Sequence, residues 1–202
     1  DHLEELWHGK VDTVKVQLAG PFTLAAEIEM ANGHRMITDA GALRDLTDAL
    51  LEVCVGHRRD VERRFGASVL QLDEPRLPEV VAGTLQGTTD FETIRAIPEP
   101  EETLARFGEH LLHTPKLLDV PWLTCDPRRA DKDALAKLLD AGARIAIPVM
   151  APRDLYNLFD ELQIDPAETT VDVYAESAAT LVGTAANYRA AREMAEALTV
   201  EV

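Results

Sequence analysis

The feature that most limits how this chain can fold is a recurring unit: a short apolar run that stops at a turn residue, then a stretch with helical spacing. "VKVQLAG" (14–20) sets Val14, Val16 and Leu18 against Lys15 and Gln17 and halts at Gly20-Pro21, the alternation of a strand with one covered face. "SVLQLD" (68–73), "HLLHTP" (110–115), "PWLTCDP" (121–127), "ARIAIPVM" (143–150) and "TTVDVYAES" (169–177) bring the runs to six. Residues 39–65 repeat apolar side chains at Leu43, Leu46, Leu50, Cys54, Val61 and Phe65, steps that keep to one helical face. Residues 91–110 carry helical material broken near Pro98 and Pro100. "DKDALAKLLDAG" (131–142) opens on acids and stops at Gly142, 152–163 carry Pro152 in a first turn, and 183–199 read as a helix capped near Thr184.

Strands alternating with helices call for a parallel sheet covered by helices, either an open doubly wound sheet or a closed (β/α)8 barrel. A barrel needs eight strands, so six runs leave two units missing, whereas an open sheet needs no further parts. The open sheet's usual glycine-rich turn is absent, because "LAGPFTLA" offers one Gly after the first run, and no GxxxxGK[ST] occurs. The polar residues favour the barrel. Asp73 and Glu74, His113, Cys125 and Asp126, and Glu176 stand at the C-terminal ends of separate predicted strands, and in a barrel those ends converge on one mouth. The expected fold is α/β: a (β/α)8 TIM-type barrel in one partial domain over 1–202, with the first two strand and helix units absent from this chain.

Composition narrows the function classes. The chain has 202 residues, 46% hydrophobic, with 11 Gly and 11 Pro, which suits a packed domain rather than a disordered chain. A formal charge of −16, from 36 acids against 20 bases, repels phosphate backbones and anionic lipid, so neither nucleic acid nor membrane is the expected partner. The start "DHLEELWHGK" has no secretory pattern, no run of about 18 apolar residues is present, and two distant cysteines make no disulfide framework. A cytoplasmic location is expected.

"VKVQLAGPFTLAAEIE", "VLQLDEPRLPEVVAG", "LLHTP" and "GTAANYRAAREMAEAL" together resemble the catalytic barrel of cobalamin-independent methionine synthase, in particular its compact actinobacterial-type homologues. "QLDEP" is the most specific piece and "LAGP" the next. The resemblance implies that the chain begins just before the family's third strand, so that it is a fragment or the missing segment is supplied by another chain. It also implies a methyltransferase of methionine biosynthesis that moves a methyl group from 5-methyltetrahydrofolate to the thiol of homocysteine. In the family, zinc held by His, two Cys and a Glu binds that sulfur as thiolate. Here the first pair reads His113-Thr114-Pro115, the next position falls at Cys125 or Asp126 depending on a one-residue register, and the last falls near Glu176. The sulfur-rich set is not reproduced, and His113, Asp126 and Glu176 would make a harder, oxygen-rich site, with one thiolate returning if Cys125 faces inward.

By the same resemblance Asp73 takes the amino group of the amino-acid substrate and Glu74 braces it or its loop. Two carboxylates closing a buried strand need a partner in any case, either a bound cation or an arginine on the next loop. Cys54 lies on the apolar stripe and reads as core, Cys125 reads equally as a small buried hydrophobe, and Arg128 and Arg129 either meet an acidic cofactor tail or are solvated. The rival class is a non-catalytic, small-molecule-binding barrel that has lost the metal. A uroporphyrinogen-decarboxylase-like barrel would neutralise substrate carboxylates with arginines, and the acidic mouth speaks against it.

Overall fold

The structure, a computed structural model, describes residues 2–87, 94–165, 169–174, 186–187, 189–194 and 196. By internal packing the chain divides into two compact units, Asp1–Thr114 and Pro115–Val202.

In the first unit, β1 (Thr13–Ala19), β2 (Ala67–Asp73) and β3 (Leu111–His113) pair in chain order, and both pairings are parallel. Register partners in a sheet share a face, and successive residues alternate between faces. Val16, Leu70, Leu72 and Leu112 therefore fall on one face, where all four are buried. The other face carries Lys15, Gln17 and Ala19 from β1, Gln71 and Asp73 from β2, and Leu111 and His113 from β3. The long α3 (Ala40–Phe65) packs against β1 and β2. Its N-terminus is capped by Asp39, whose side chain accepts from the Ala42 N–H, and its C-cap Gly66 has φ 106°, where a side chain would be strained. Cys54 is buried on the face carrying the half-buried Leu43, Leu46, Leu50, Val61 and Phe65, as the spacing predicts. Among the described residues this unit also holds the shorter helices α1 (His2–Trp7), α2 (Pro21–Glu27), α4 (Leu77–Ala82) and α5 (Glu101–Ala105) and a 3-10 turn at Met36–Thr38.

In the second unit, β4 (Trp122–Thr124), β5 (Arg144–Pro148) and β6 (Val171–Tyr174) again pair parallel and in chain order. Here Leu123, Ile145 and Ile147 form the buried apolar face. On the opposite face Arg144 grips Asp172 with two hydrogen bonds (2.6 and 2.7 Å), lies 4.1 Å over the Trp122 ring, and shares Asp172 with the Trp122 indole N–H. That cluster ties the three strands together at one level. The helices are α6 (Lys132–Asp140), capped by Asp131, and α7 (Pro152–Leu162), with Pro152 at its first turn; the described residues within 186–196 are also helical. Six parallel strands, three per unit and in chain order within each, make an α/β fold consistent with part of a TIM-type barrel. The order reversal that marks a doubly wound sheet occurs within neither unit.

Candidate functional site

The C-terminal end of β2 is where sequence and geometry meet. Asp73 and Glu74 are neighbours in the chain but serve opposite environments. Glu74 is 0% exposed, and its carboxylate caps the first turn of α2: Oε1 accepts from the Phe22 N–H (3.0 Å), and Oε2 accepts from the Thr23 N–H (2.7 Å) and the Thr23 hydroxyl (2.6 Å). These amides have no partner within the helix, so the carboxylate satisfies them and its negative charge meets the positive end of the helix dipole. Burial pushes the Glu74 carboxyl up to about 7, against the lowering effect of the Thr23 and Phe22 donors, and the charge of Asp73 adds to the rise. Gly20 makes the arrangement possible. A Cβ at that position would lie 2.2 Å from Glu74 Oε1 and 2.4 Å from its Cδ, so no larger residue fits while Glu74 keeps its place. The Gly20 N–H donates to the Asp73 carbonyl (2.8 Å) and the Glu74 N–H to the His113 carbonyl (2.8 Å), which locks the ends of β1, β2 and β3 side by side. "LAGP" and "QLDEP", far apart in sequence, are thus two halves of one joint.

Asp73 lies half-buried on the polar face. Gln17 Nε2 donates to its Oδ2 (2.5 Å) and Gln71 Nε2 to its Oδ1 (2.7 Å), while Lys15 Nζ donates to Gln71 Oε1 (2.8 Å). Both donors to the carboxylate are neutral amides, so Asp73 is oriented without being neutralised. Arg76, the arginine on the following loop, pairs with Glu27 (2.5 Å) and Glu79 (2.9 Å). His113 ends β3 in register with Asp73, on the same face, and is exposed. Lys15, Gln17, Gln71, Thr23 and Gly20 were not singled out by the sequence reading. The signal for three of them was there: the alternation sets Lys15 and Gln17 opposite the apolar face of their strand, and Gln71 lies two residues before Asp73, on its side of β2.

The remaining candidates lie in the second unit. Cys125 follows β4, buried, and burial together with Asp126 pushes its thiol up to about 11. Asp126 is held by Arg128, whose Nε and Nη2 donate at 2.8 and 3.0 Å, and by Arg129 at 3.8 Å, and the Arg128 hydrogen bonds lower its carboxyl below the usual value. The two arginines therefore meet Asp126 itself. Glu176 lies outside the described residues. Asp126 gives two of its lone-pair positions to the guanidinium fork of Arg128, and Cys125 lies buried beside it. Among the described residues no group of three or more His, Cys, Asp or Glu side chains is placed to hold a metal ion.

Among the described residues no helix is long and apolar enough to cross a membrane. Residues 3–93 match the family model of the cobalamin-independent synthase catalytic domain, which bears out the resemblance drawn from "LAGP" and "QLDEP". The matched stretch contains β1, β2, α2 and the whole Gly20, Asp73 and Glu74 joint, and ends before His113. Comparison with curated proteins and with solved structures returned no match.

Proposed function

We propose, from the premise that residues 3–93 are a stretch of cobalamin-independent synthase catalytic domain, that this chain is part of a methionine-synthase-like methyltransferase whose β2 mouth receives an amino-acid thiol such as homocysteine. The observation that carries this reading is Asp73: a carboxylate at a strand mouth, held by one amide N–H on each oxygen, with its charge left for a ligand. An ionised carboxylate has about four lone-pair positions, and the two amides use half of them. A substrate ammonium offers three donors and a full positive charge, a stronger partner than another neutral group.

In this reading Asp73 fixes the α-amino end of the acceptor, and Glu74 holds α2 and the ends of β1 and β2 so that Asp73 keeps its place. The methyl group passes from N5 of 5-methyltetrahydrofolate to the acceptor sulfur. The S–C bond forms as the N–C bond breaks, and the thiol proton balances the nitrogen left behind. Thiolate is the nucleophile in such a step.

A second reading has its own support: the buried Cys125 and the arginine-bound Asp126 suit a homologue that binds the amino acid without turning it over. Incubating the full chain with homocysteine and 5-methyltetrahydrofolate separates the two. Methionine formation supports the methyltransferase. Homocysteine binding without methionine supports the binding homologue, and the absence of both contradicts the proposal.

A further inference from the structure

We infer that Gln17 and Gln71, with Lys15 behind Gln71, are positioning residues that set the direction of the Asp73 carboxylate and so its selectivity for an amine. The inference rests on the reading of Asp73 as the ammonium site and concerns residues to which that reading gives no part.

What each side chain can donate fixes the order of the network. Lys15 has only donors, so the end of Gln71 that faces it at 2.8 Å is the amide oxygen. That leaves the Gln71 NH₂ pointing the other way, at Asp73 Oδ1 (2.7 Å). Lys15 thus fixes the sense of the Gln71 amide, and Gln71 in turn fixes one oxygen of Asp73. Gln17, the register partner of Gln71 on β1, reaches the other oxygen (2.5 Å). With one donor on each oxygen, the carboxylate plane is defined from two neighbouring strands.

The chemistry of the donors matters as much as the geometry. Asp126 shows the alternative in the same chain: Arg128 grips it through two N–H groups, which orients the carboxylate but cancels its charge. At Asp73 the cation of the described network, Lys15, stands one residue removed, and neutral amides make the contact. Gln71 is 5% exposed, so its amide is poorly served by water and depends on these two partners. Loss of either donor to Asp73 frees the carboxylate to rotate, and the cost falls on a ligand that needs its direction.

Calorimetry of the full chain with homocysteine and with the same thiol acid lacking the amine gives an amine preference, the ratio of the two affinities. Gln71→Met and Gln17→Met keep side-chain length and remove the donor. Each is expected to lower that preference about tenfold, the scale of one hydrogen bond to a charged group, while the deaminated analogue binds as before. Lys15→Met lowers it less, and Lys15→Arg, which still donates to Gln71, restores it. If both ligands weaken alike, or the preference does not change, the inference is overturned; should Gln71→Met fail to fold, the exposed Gln17 carries the same test. A ligand-free measurement separates this inference from the reading beneath it. In nitrogen-15 spectra, Asp73→Asn should displace the side-chain amide signals of both glutamines, and Lys15→Met those of Gln71 but not Gln17. That pattern without any amine preference in the wild type contradicts the ammonium site and supports the positioning of Asp73, whereas absence of the pattern overturns the positioning.

Discussion

Gly20 is the residue at which a single added carbon matters most. A methyl group there would overlap the Glu74 carboxylate, forcing Glu74 off the α2 amides or β1 away from β2. Gly20→Ala is expected to cost about 2–4 kcal/mol in chemical denaturation, combining overpacking with lost hydrogen bonds to a buried acid. Glu74→Ala removes the obstacle, so the double variant should cost clearly less than the two single costs added, and strict additivity would mean the two residues do not share this joint. Glu74 also makes a pH prediction. Its folded pKa of about 7 lies above the ordinary 4.5, so the folded protein binds the proton more tightly than the unfolded chain. Its contribution is complete below about pH 4.5 and is lost as pH rises through about 7, amounting to about 3 kcal/mol. Stability measured from pH 4 to 8 should fall along this window in the wild type and more weakly in Glu74→Gln; parallel curves would contradict it. The adjoining Asp73 and Glu74 stood out in the sequence, and the resemblance gave Glu74 a bracing part, but what it braces was not legible. The donors to Glu74 lie 51 and 52 residues earlier, a distance no local pattern spans.

At the scale of elements, the strands were legible because alternation and stops coincide. Each of the six apolar runs holds a strand, and β1 ends one residue before Gly20-Pro21 and β2 at Asp73. The helices α3, α6 and α7 were legible for the same reason, each having an apolar stripe and a marked start. Asp131 accepts from the Ala134 N–H (3.0 Å) at the head of α6, and Asp131→Ala is expected to cost about 1 kcal/mol, with faster hydrogen exchange confined to the first turn of α6. An unchanged exchange pattern would contradict the cap. The short α1, α2 and α4 were missed, and proline explains the last two. Gly20-Pro21 reads as a stop after its strand, yet Pro21 and Pro78 occupy first-turn positions, where the missing N–H costs nothing. Of the helical material expected over 91–110, only the part after the prolines forms a helix among the described residues: 94–100 are not helical and α5 starts at Glu101.

For the whole molecule, the polar residues at strand ends prove to be of two kinds. In the first unit Asp73, Glu74 and His113 stand at the adjoining ends of β2 and β3, and the match to the cobalamin-independent synthase catalytic domain covers the first two of these. In the second unit Cys125 and Asp126 are taken up by burial and by arginines. Sequence spacing could place all of them at strand ends, but burial and ion pairing, which decide whether a donor is available, depend on neighbours brought in by packing. The proposed amino-acid site therefore stands on Asp73. Calorimetry of homocysteine and its deaminated analogue against the wild type and Asp73→Asn tests it most directly, since the substitution keeps shape and removes charge. The wild type should prefer the amine, and Asp73→Asn should lose about 1.5–3 kcal/mol for homocysteine alone, the range for hydrogen bonds to charged groups. A wild type with no preference, or a preference that survives Asp73→Asn, would contradict it.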